Sequence, residues 1–332
     1  MLALVTGAGG FLGQYLVEQL LARGDRVRGL IRGNYPELKR LGVPCVHADL
    51  RDAQAARSAC AGVDVVFHAA GVAGIWGPWE HYYGINVIGT QNILDGCREH
   101  RVPRLVYTSS PSVTFDGRAQ ENVDETAPYP RRWLCHYSHT KALGEQAVLA
   151  ANGPTLLTCA LRPHLIWGPR DRHLIPRLIA RARAGQLRRV GDGTNRVDMV
   201  AVENAAEAHL QAADALRPGS PVAGRAYFIS QGEPVNCWDW INEILALAGL
   251  PPVERAISLK AAWRVGAVLE GVYRALRISS EPRMTRFLAA QLGTSHYFNI
   301  SRARGDFDYE PHVSTSEGMR RLGTALRQAG PS

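Results

Sequence analysis

The 332-residue sequence contains few cysteines, and its six cysteines are widely spaced. This spacing matches neither the paired ligands of a zinc site nor the dense framework of a disulfide-rich domain. The eleven histidines also lack a metal-ligand spacing. We therefore expect reduced thiols, no metal site and a cytoplasmic protein.

Long uncharged apolar runs are also absent. Residues 1–7 have no basic leader, which argues against a signal peptide. The stretch 256–278 is apolar, but charged residues that include Lys260, Arg264, Glu270 and Arg274 interrupt it before the ~18 uncharged residues that a membrane span requires. The pattern predicts an amphipathic helix over a carboxy-terminal lobe, and it leaves open a peripheral contact with a membrane surface.

Charge of one sign is not concentrated anywhere in the chain. The 38 Lys and Arg residues exceed the 30 Asp and Glu residues by eight, and the basic residues are scattered. A nucleic-acid-binding protein more often carries a basic stripe or a known motif, so we expect no nucleic-acid partner and favour small anionic ligands. With 46% hydrophobic residues, the chain has the composition of a compact globular protein of about two structural units.

Short apolar runs rich in β-branched residues alternate with helical patterns in the first half of the chain. The predicted strands are Leu2–Val5, Arg26–Ile31, Pro44–Val46, Val63–His68, Arg104–Thr108 and Thr155–Leu161. The predicted helices between them are Gln14–Arg23, Gln54–Ala61, Tyr83–His100 and Ser138–Ala151. This alternation predicts an α/β protein with a doubly wound parallel sheet, a Rossmann fold.

In the second half, the alternation gives way to loops and helices. A strand at Ala226–Ile229 and a helix at Trp238–Leu247 are predicted there. We place a dinucleotide-binding domain at residues 1–165 and a smaller, mostly helical, substrate-binding lobe at residues 166–332. Late strands near 198–202 and at 226–229 are expected to return to the first sheet.

A glycine-rich turn follows the first predicted strand. Gly7, Gly10 and Gly13 are spaced for a tight backbone turn at the start of the next helix, with Phe11 and Leu12 between the last two. Unpaired amides at a helix amino terminus favour a pyrophosphate. The motif predicts a dinucleotide site, and the alternative is a glycine-rich turn without a ligand.

The end of the second predicted strand bears on the choice of dinucleotide. An acid there accepts hydrogen bonds from the adenosine ribose of NAD, whereas a cation accommodates the 2′-phosphate of NADP. The strand ends at Arg32, and Arg28 is a candidate second cation. We prefer NADP and leave NAD open; the alternative is that both arginines are solvated surface charges.

A tyrosine and a lysine are spaced for proton transfer at the start of a predicted helix. Tyr137 and Lys141 lie four residues apart and so share one helix face, where an ammonium lowers the pKa of a phenol. Such a phenol exchanges a proton with a substrate oxygen. Ser110 follows a strand at the ligand-binding edge of the sheet and is our choice to hold that oxygen, whereas Ser109 and Ser112 satisfy the turn.

Together these motifs resemble the extended short-chain dehydrogenase/reductase family, in its 3β-hydroxysteroid dehydrogenase branch. The resemblance covers nearly the whole chain and is closest to sterol-4-carboxylate 3-dehydrogenases and bacterial 2-alkyl-3-oxoalkanoate reductases. Its segments are the Gly7/Gly10/Gly13 turn, Asp49-Leu50, His68-Ala69-Ala70, residues 86–90, Thr108-Ser109-Ser110, the Tyr137/Lys141 pair, residues 162–169, 191–198 and 202–209, and His296-Tyr297-Phe298.

The resemblance implies a role for each motif residue. Tyr137 is the general acid/base, Lys141 lowers its pKa and binds the nicotinamide ribose, and Ser110 hydrogen-bonds the reacting carbonyl. Asp49 approaches the adenine and Asn86 supports the site. Further cofactor contacts are implied for Leu50, Ala69, Ala70, Tyr137 and Pro163. The family often has an acid at the position of Arg32, a departure that strengthens the preference for NADP.

The implied activity is an NAD(P)-dependent oxidoreductase that interconverts a 3-hydroxy and a 3-oxo group on a large apolar substrate. That substrate is a 2-alkyl-3-oxoalkanoate, or a 3β-hydroxysteroid or sterol-4-carboxylate, and the implied assembly is a homodimer. The candidate pocket aromatics are Trp76, Trp79, Tyr82, Tyr83, Phe115, Trp133 and Trp167, and the candidate partners for a substrate carboxylate are Arg131, Arg132, Arg170 and Arg172. The alternatives are a nucleotide-sugar epimerase or dehydratase on the same scaffold, and a non-catalytic NADP-binding sensor.

Overall fold

The structure is a computed structural model that describes residues 1–329. Its strands are β1 (Leu2–Thr6), β2 (Arg26–Ile31), β3 (Cys45–His47), β4 (Val65–His68), β5 (Arg104–Thr108), β6 (Gln120–Val123), β7 (Leu157–Pro163), β8 (Ile166–Trp167), β9 (Arg189–Val190), β10 (Arg196–Val197), β11 (Val200–Ala201), β12 (Ala226–Ile229), β13 (Val235–Asn236), β14 (Ala256–Ile257) and β15 (His296–Phe298).

The helices follow in the same chain order. They are α1 (Phe11–Ala22), α2 (Pro36–Arg40), α3 (Ala53–Ser58), α4 (Trp79–Tyr83), α5 (Gly89–Glu99), α6 (His136–Ala150), α7 (Leu174–Arg183), α8 (Val202–Ala215), α9 (Cys237–Leu247), α10 (Leu259–Ala275), α11 (Arg286–Gly293), α12 (Ser301–Phe307) and α13 (Thr315–Ala329). A π-helical segment spans Gly84–Ile88, and a 3₁₀ turn spans Pro111–Thr114.

A seven-stranded parallel sheet in the order β12-β7-β5-β4-β1-β2-β3 forms the centre of the molecule. Helices α1 and α8 pack against each other, and so do α3 and α5. Ala3, Leu4 and Val5 of β1 are fully buried, with neighbours in two apolar cores. The doubly wound sheet predicted from the sequence is therefore confirmed. The strand order reverses between β1 and β4, where the carboxyl ends of such sheets bind ligands.

One predicted helix has a different form in the structure. The pattern over Tyr83–His100 predicts a continuous helix, but α4, the π-helical segment and α5 follow one another there. A π turn inserts an extra residue into the helical register, and no local propensity announces it. The segment turns Asn86 inward, where its side chain is 1% exposed.

The second half of the chain contributes a further core and smaller sheets. Trp167, Trp238 and Trp240 are buried together in this core, and Trp167 and Trp240 meet edge to face. One sheet has the order β13-β10-β15-β6. The predicted helix at Trp238–Leu247 is α9, which begins one residue earlier because Asn236 caps it.

One late strand joins the large sheet and the other does not. Strand β12 pairs with β7 as expected, but β11 pairs with β8 in a separate two-stranded sheet, so the expectation for residues 198–202 was wrong. The backbone turns at Leu165, whose φ is 43°, and β8 therefore lies outside the large sheet. The domain division after residue 165 stays a prediction, and residues 330–332 of the predicted lobe lie outside the described part of the chain.

The predicted amphipathic helix in 256–278 is α10. Within residues 1–329, no helix combines the length and the apolar character that a bilayer crossing requires.

Candidate active site

The glycine-rich turn between β1 and α1 packs too tightly for side chains. Gly7 has a φ of 70°, and a Cβ there would lie 2.9 Å from the Cα of Ala70. A Cβ at Gly13 would lie 2.1 Å from the carbonyl oxygen of Gly7. The amide of Gly10 donates to that same oxygen, at 2.8 Å. The turn therefore presents bare backbone at the amino terminus of α1, a cradle of the size and polarity that a pyrophosphate needs.

A cleft of about 220 Å³ opens beside this turn, at the reversal of strand order. Seven of the predicted cofactor residues line it, whereas Phe11, Leu12, Gly13, Tyr137, Lys141 and Pro163 do not. Phe11 instead packs edge to face on Tyr15, and Leu12 is buried. The lining residues are Gly7, Gly9, Gly10, Leu30, Ile31, Arg32, Tyr35, Ala48, Asp49, Leu50, Ala69, Ala70, Gly71, Val72 and Ile85.

One end of this cleft carries charged side chains. The guanidinium of Arg51 donates two hydrogen bonds to the carboxylate of Asp49, at 2.9 and 2.8 Å. These bonds lower the pKa of Asp49 to about 2. Arg32 is at the same end and forms no ion pair within residues 1–329. Tyr35, which sequence reasoning missed, covers the turn: a Cβ at Gly9 would lie 2.2 Å from its ring.

Arg28 does not share this position. Its guanidinium donates to the carbonyl oxygens of Ala59 and Ala61, at 2.8 and 2.7 Å, just beyond the end of α3. It therefore closes the carboxyl end of a helix on one face of the sheet. Arg28 therefore does not lie where a second phosphate-binding cation would be, and this prediction was wrong.

The predicted tyrosine and serine face each other at the carboxyl edge of the sheet. Tyr137 lies in the first turn of α6, and burial raises the pKa of its phenol while the side chain of Ser110, as hydrogen-bond partner, lowers it. Ser110 follows β5 and caps the 3₁₀ turn, because its Oγ accepts from the amide of Ser112, at 3.2 Å. Ser109 is buried, and its amide donates to Leu161. Ser110 is thus the serine that acts on the phenol, whereas the buried hydroxyl of Ser109 has no hydrogen-bond partner within residues 1–329.

Lys141 lies one helical turn beyond Tyr137 and is buried. Its Nζ donates to the carbonyl oxygen of Thr108 at 2.6 Å and lies 4.0 Å from the centre of the Tyr107 ring. Burial lowers the pKa of Lys141 to about 7, and Glu145 partly opposes the change. The sequence predicts that Lys141 lowers the pKa of Tyr137. In this structure the pKa of Tyr137 is instead raised, because burial outweighs the hydrogen bond from Ser110.

A chain of hydrogen bonds that the sequence did not reveal holds the loop after β4. Thr6 Oγ1 accepts from the amide of Ala70, at 3.1 Å, and lies 2.7 Å from Nδ1 of His68. Nε2 of His68 lies 3.0 Å from Thr90 Oγ1, which donates to the carbonyl oxygen of Asn86. Burial lowers the pKa of His68 to about 3, so a neutral imidazole links these groups.

The side chain of Asn86 continues this chain toward α6. Its Oδ1 accepts from the amide of Val72 at 2.8 Å, and its Nδ2 donates to Thr140 Oγ1 at 3.0 Å. Gly144 lets α6 come this close, since a Cβ there would lie 2.7 Å from the carbonyl oxygen of Asn86. The supporting role predicted for Asn86 thus has a geometric basis: it ties the cleft to the helix of Tyr137.

A buried ion pair lies further along the same helix face. Glu145 and Arg162 are almost completely buried and are joined by two hydrogen bonds of 2.9 and 2.6 Å. The hydroxyl of Tyr129 donates to the same carboxylate at 2.7 Å. Charge pairing offsets the cost of burying both groups, so α6 can carry Glu145 into the interior.

Comparison with known proteins agrees with this geometry. Residues 4–260 match the model of the 3-beta hydroxysteroid dehydrogenase/isomerase family. The chain belongs to this family. It is 51% identical to the 2-alkyl-3-oxoalkanoate reductase of Stenotrophomonas maltophilia over 97% of this chain and 98% of that one. It is 36% identical to the decarboxylating sterol-4-alpha-carboxylate 3-dehydrogenase of Mus musculus, over 96% and 88% respectively.

Solved structures share the fold of this family member from end to end. The crystal structure of gox2253 matches with a TM-score of 0.80 and 26% identity over 99% of both chains. The UDP-glucose 4-epimerase of Thermus thermophilus, in complex with NAD, matches with a TM-score of 0.73 and 26% identity, over 99% of this chain and all of that one.

This family member has a second, larger cleft of about 490 Å³ beside the start of α6. Residues 134–136, which immediately precede the tyrosine, form part of its wall, and Trp76 forms another part. The hydroxyl of Tyr82 donates to the carbonyl of Trp76 at 3.0 Å and so fixes the loop. The remaining lining residues are Ile75, Gly77, Pro78, Glu270, Tyr273, Arg274, Arg277, Ile278, Ser279 and Thr285.

None of the other six aromatic candidates lines this cleft. Trp79 stacks on Tyr83, and Trp133 stacks on His139 with the ring centres 5.1 Å apart. Phe115 packs against Phe287 beneath the cleft. Trp167 belongs to the second core.

The predicted arginines are also elsewhere. Arg170 pairs with Glu18 at 2.6 Å, near α1, and none of the four predicted arginines lines the cleft. Two cations, Arg274 and Arg277, line the larger cleft instead. The sequence did not connect them with the site because they lie more than a hundred residues from Tyr137.

Proposed function

We propose that this chain is a nicotinamide-dinucleotide-dependent oxidoreductase that reduces the 3-oxo group of an acid with a long alkyl chain at the neighbouring carbon. One observation carries the proposal: the phenol of Tyr137 has the side chain of Ser110 as its hydrogen-bond partner, and Tyr137 directly follows residues 134–136 in the wall of a larger, largely apolar cleft. A separate cleft is lined by the glycines after β1. Such an arrangement suits a reaction between a dinucleotide and a hydrocarbon-rich substrate. The relatives named 2-alkyl-3-oxoalkanoate reductase support the substrate class.

The residues of the smaller cleft fit the dinucleotide. The amides of the Gly7–Gly13 turn would hold its pyrophosphate, and Ala69 and Ala70 would border it. The nicotinamide supplies or accepts a hydride when bound. Lys141 would bind the nicotinamide ribose, as the family resemblance implies.

The chain itself handles the proton. Tyr137 donates its phenolic proton to the substrate carbonyl oxygen as this oxygen becomes a hydroxyl, and Ser110 hydrogen-bonds the same oxygen. Burial keeps the phenol protonated before the reaction, because it raises the pKa of Tyr137. A protonated phenol is the form required for reduction of a ketone.

We further propose NADP as the preferred dinucleotide. Arg32 has no ion-pair partner within residues 1–329, and it stands at the end of β2 where a 2′-phosphate would lie. Asp49, at the same end, is already held by Arg51. An NADP preference favours the reductive direction in cells, which preserves the hydroxy acid. Oxidation would instead give a β-keto acid that tends to lose carbon dioxide.

The experiment is an assay of NADPH oxidation against three substrate classes. The panel contains long-chain 2-alkyl-3-oxo acids, 3-oxosteroids and nucleotide sugars. We expect the highest kcat/KM with the alkyl-oxo acids. Nucleotide sugars are also followed by analysis of their products, because an epimerase or dehydratase regenerates its dinucleotide and consumes no net NADPH. Conversion of nucleotide sugars without NADPH oxidation would establish the epimerase or dehydratase alternative, and dinucleotide binding without conversion of any class would establish a sensor.

We also propose a cytoplasmic homodimer that pairs through helices of the first domain. The six cysteines are free thiols. Light scattering coupled to size-exclusion chromatography tests the assembly, and a monomer at micromolar concentration would contradict it.

A further inference from the structure

The outward face of α10 carries a continuous apolar stripe. Val265, Val268 and Val272 of α10, and Leu276, which directly follows it as its C-cap, are each 43–67% exposed. Their spacing of three and four residues places them on one side of the helix. We refer to these four residues as the α10 ridge. Single exposed apolar residues are ordinary, but four in a row on one helix mark an interaction surface.

The opposite face of α10 is fixed to the protein, so the ridge cannot turn inward. Ala262, Gly266 and Glu270 are buried. A Cβ at Gly266 would lie 2.6 Å from the backbone of Thr285, which shows how closely the helix packs before α11. Glu270 accepts from the amide and the guanidinium of Arg286 at 2.6–3.0 Å.

The ridge has a positively charged flank. Lys260 and Arg264 belong to the same helix, and helical spacing places them beside the ridge, on the edge nearest Val268. The acidic residue of α10, Glu270, is buried and paired with Arg286 and Arg274. The exposed part of the helix thus combines apolar and cationic side chains without a carboxylate.

This charge pattern distinguishes between occupants. A symmetric contact of the ridge with a second copy would bring the same cations to both sides of the interface, where they repel. An anionic phospholipid surface instead offers hydrocarbon to the ridge and negative charge to its flank. The charge pattern therefore favours an anionic phospholipid surface over a second copy of the chain.

The ridge lies beside the larger cleft. Tyr273, Arg274, Arg277 and Ile278, at the carboxyl end of α10 and just after it, line that cleft, while Leu276 of the ridge points outward. We propose that α10 docks on an anionic lipid surface and that apolar substrate enters the cleft from it. The entry route rests on the proposed function, but the docking does not.

Vesicle co-sedimentation tests the docking. The full chain is mixed with vesicles of phosphatidylcholine alone or of phosphatidylcholine with phosphatidylglycerol, at low and at physiological salt. We expect binding to the anionic vesicles that weakens with salt. We expect the double variant Val268→Ser/Leu276→Ser to bind at least about tenfold more weakly, because apolar area contributes much of such binding.

A matched control carries the same change elsewhere. Leu41 and Ile88 are 42% and 41% exposed on other elements, and Leu41→Ser/Ile88→Ser should bind anionic vesicles like the original chain. Absence of vesicle binding, or equal loss in both double variants, would overturn the proposal. So would dissociation of a dimer by the Val268→Ser/Leu276→Ser pair, since the ridge would then be a contact between copies.

The entry route has a separate readout. Turnover of a short, water-soluble 3-oxo acid should be the same in the original chain and in Val268→Ser/Leu276→Ser, because neither residue lines a cleft. Turnover of a long-chain substrate presented in anionic vesicles should fall severalfold in that variant. Equal turnover from vesicles would refute the route, whereas no activity with any substrate in the original chain would refute the proposed function alone.

Discussion

The Nζ of Lys141 lies 4.0 Å from the centre of the Tyr107 ring, over its face. The ring and the carbonyl oxygen of Thr108 are the polar partners of an ammonium that is otherwise surrounded by the protein interior. An aromatic face attracts a cation, but it replaces water incompletely. Keeping Lys141 protonated in the folded chain therefore costs free energy, and the effect on stability depends on pH.

This cost gives a testable effect on stability. Burial lowers the pKa of Lys141 to about 7, whereas a lysine in an unfolded chain has a pKa of about 10.4. Between about pH 7 and 10.4, Lys141 is protonated in the unfolded chain but not in the folded chain, so the free energy of unfolding increases as pH rises. Below about pH 7 the lysine is protonated in both states, and its burial then lowers the free energy of unfolding by the full amount. Lys141→Met should raise the free energy of unfolding by about 3 kcal/mol at pH 6, and the gain should shrink toward pH 10.

Thermal unfolding of the cofactor-free protein at the two pH values measures this difference. Lys39 is exposed, and Lys39→Met serves as the control with no such pH dependence. A Lys141→Met variant that is equally or less stable at pH 6 would contradict the prediction.

Replacement of Tyr137 by Phe should separate chemistry from binding. The variant keeps the ring but lacks the proton donor, so kcat should fall by a factor of about 10² or more. The Kd for NADPH, measured by fluorescence titration, should change less than about threefold, since proton donation is not part of cofactor binding. Tyr297→Phe, in β15, should leave both values unchanged. Full activity of Tyr137→Phe would remove this residue from the mechanism.

A charge reversal at Arg32 should change the cofactor preference. Arg32→Asp removes the cation that would meet a 2′-phosphate, so the ratio of kcat/KM for NADPH to that for NADH should fall by about tenfold or more. Arg28→Gln, in the strand that precedes Arg32, is the control, because Arg28 instead donates to the carbonyl oxygens of Ala59 and Ala61. An unchanged ratio in Arg32→Asp would make Arg32 an ordinary surface residue.

A methyl group at Gly144 should disturb the site through packing. A Cβ there would lie 2.6 Å from the hydroxyl of Tyr107 and 2.7 Å from the carbonyl oxygen of Asn86. Gly144→Ala should therefore cost about 1–3 kcal/mol of unfolding free energy and lower kcat, because α6 must move with Tyr137. Gly271→Ala, in α10, meets nothing within 4 Å and should be neutral or stabilising. Urea unfolding of both variants checks this, and equal stability would contradict it.

The sequence predicted those parts of the molecule that depend on short-range spacing. The glycines of the first turn and the Tyr137/Lys141 pair are each separated by about one helical turn, so their relative positions follow from local geometry. The parallel sheet followed from alternating elements in the same way, since each βαβ unit has one favoured handedness.

Features that depend on tertiary contacts were not predictable. Arg28 lies in a strand whose neighbouring residues alternate between faces, and only the position of α3 shows which carbonyl groups it meets. The contact of Lys141 with Thr108 likewise requires the distance between α6 and β5. Arg274 and Arg277 reach the larger cleft because α10 folds back across the chain.

The π-helical segment constrains how this region can change. It gives the chain one residue more than an α-helix needs between α4 and α5, and this residue count sets the direction of Asn86. Removing one residue from 84–88 would leave the number of residues that a regular α-helix needs, and Asn86 would lose the widened turn that directs its side chain to Val72 and Thr140. The length of this segment is therefore constrained together with the identity of Asn86.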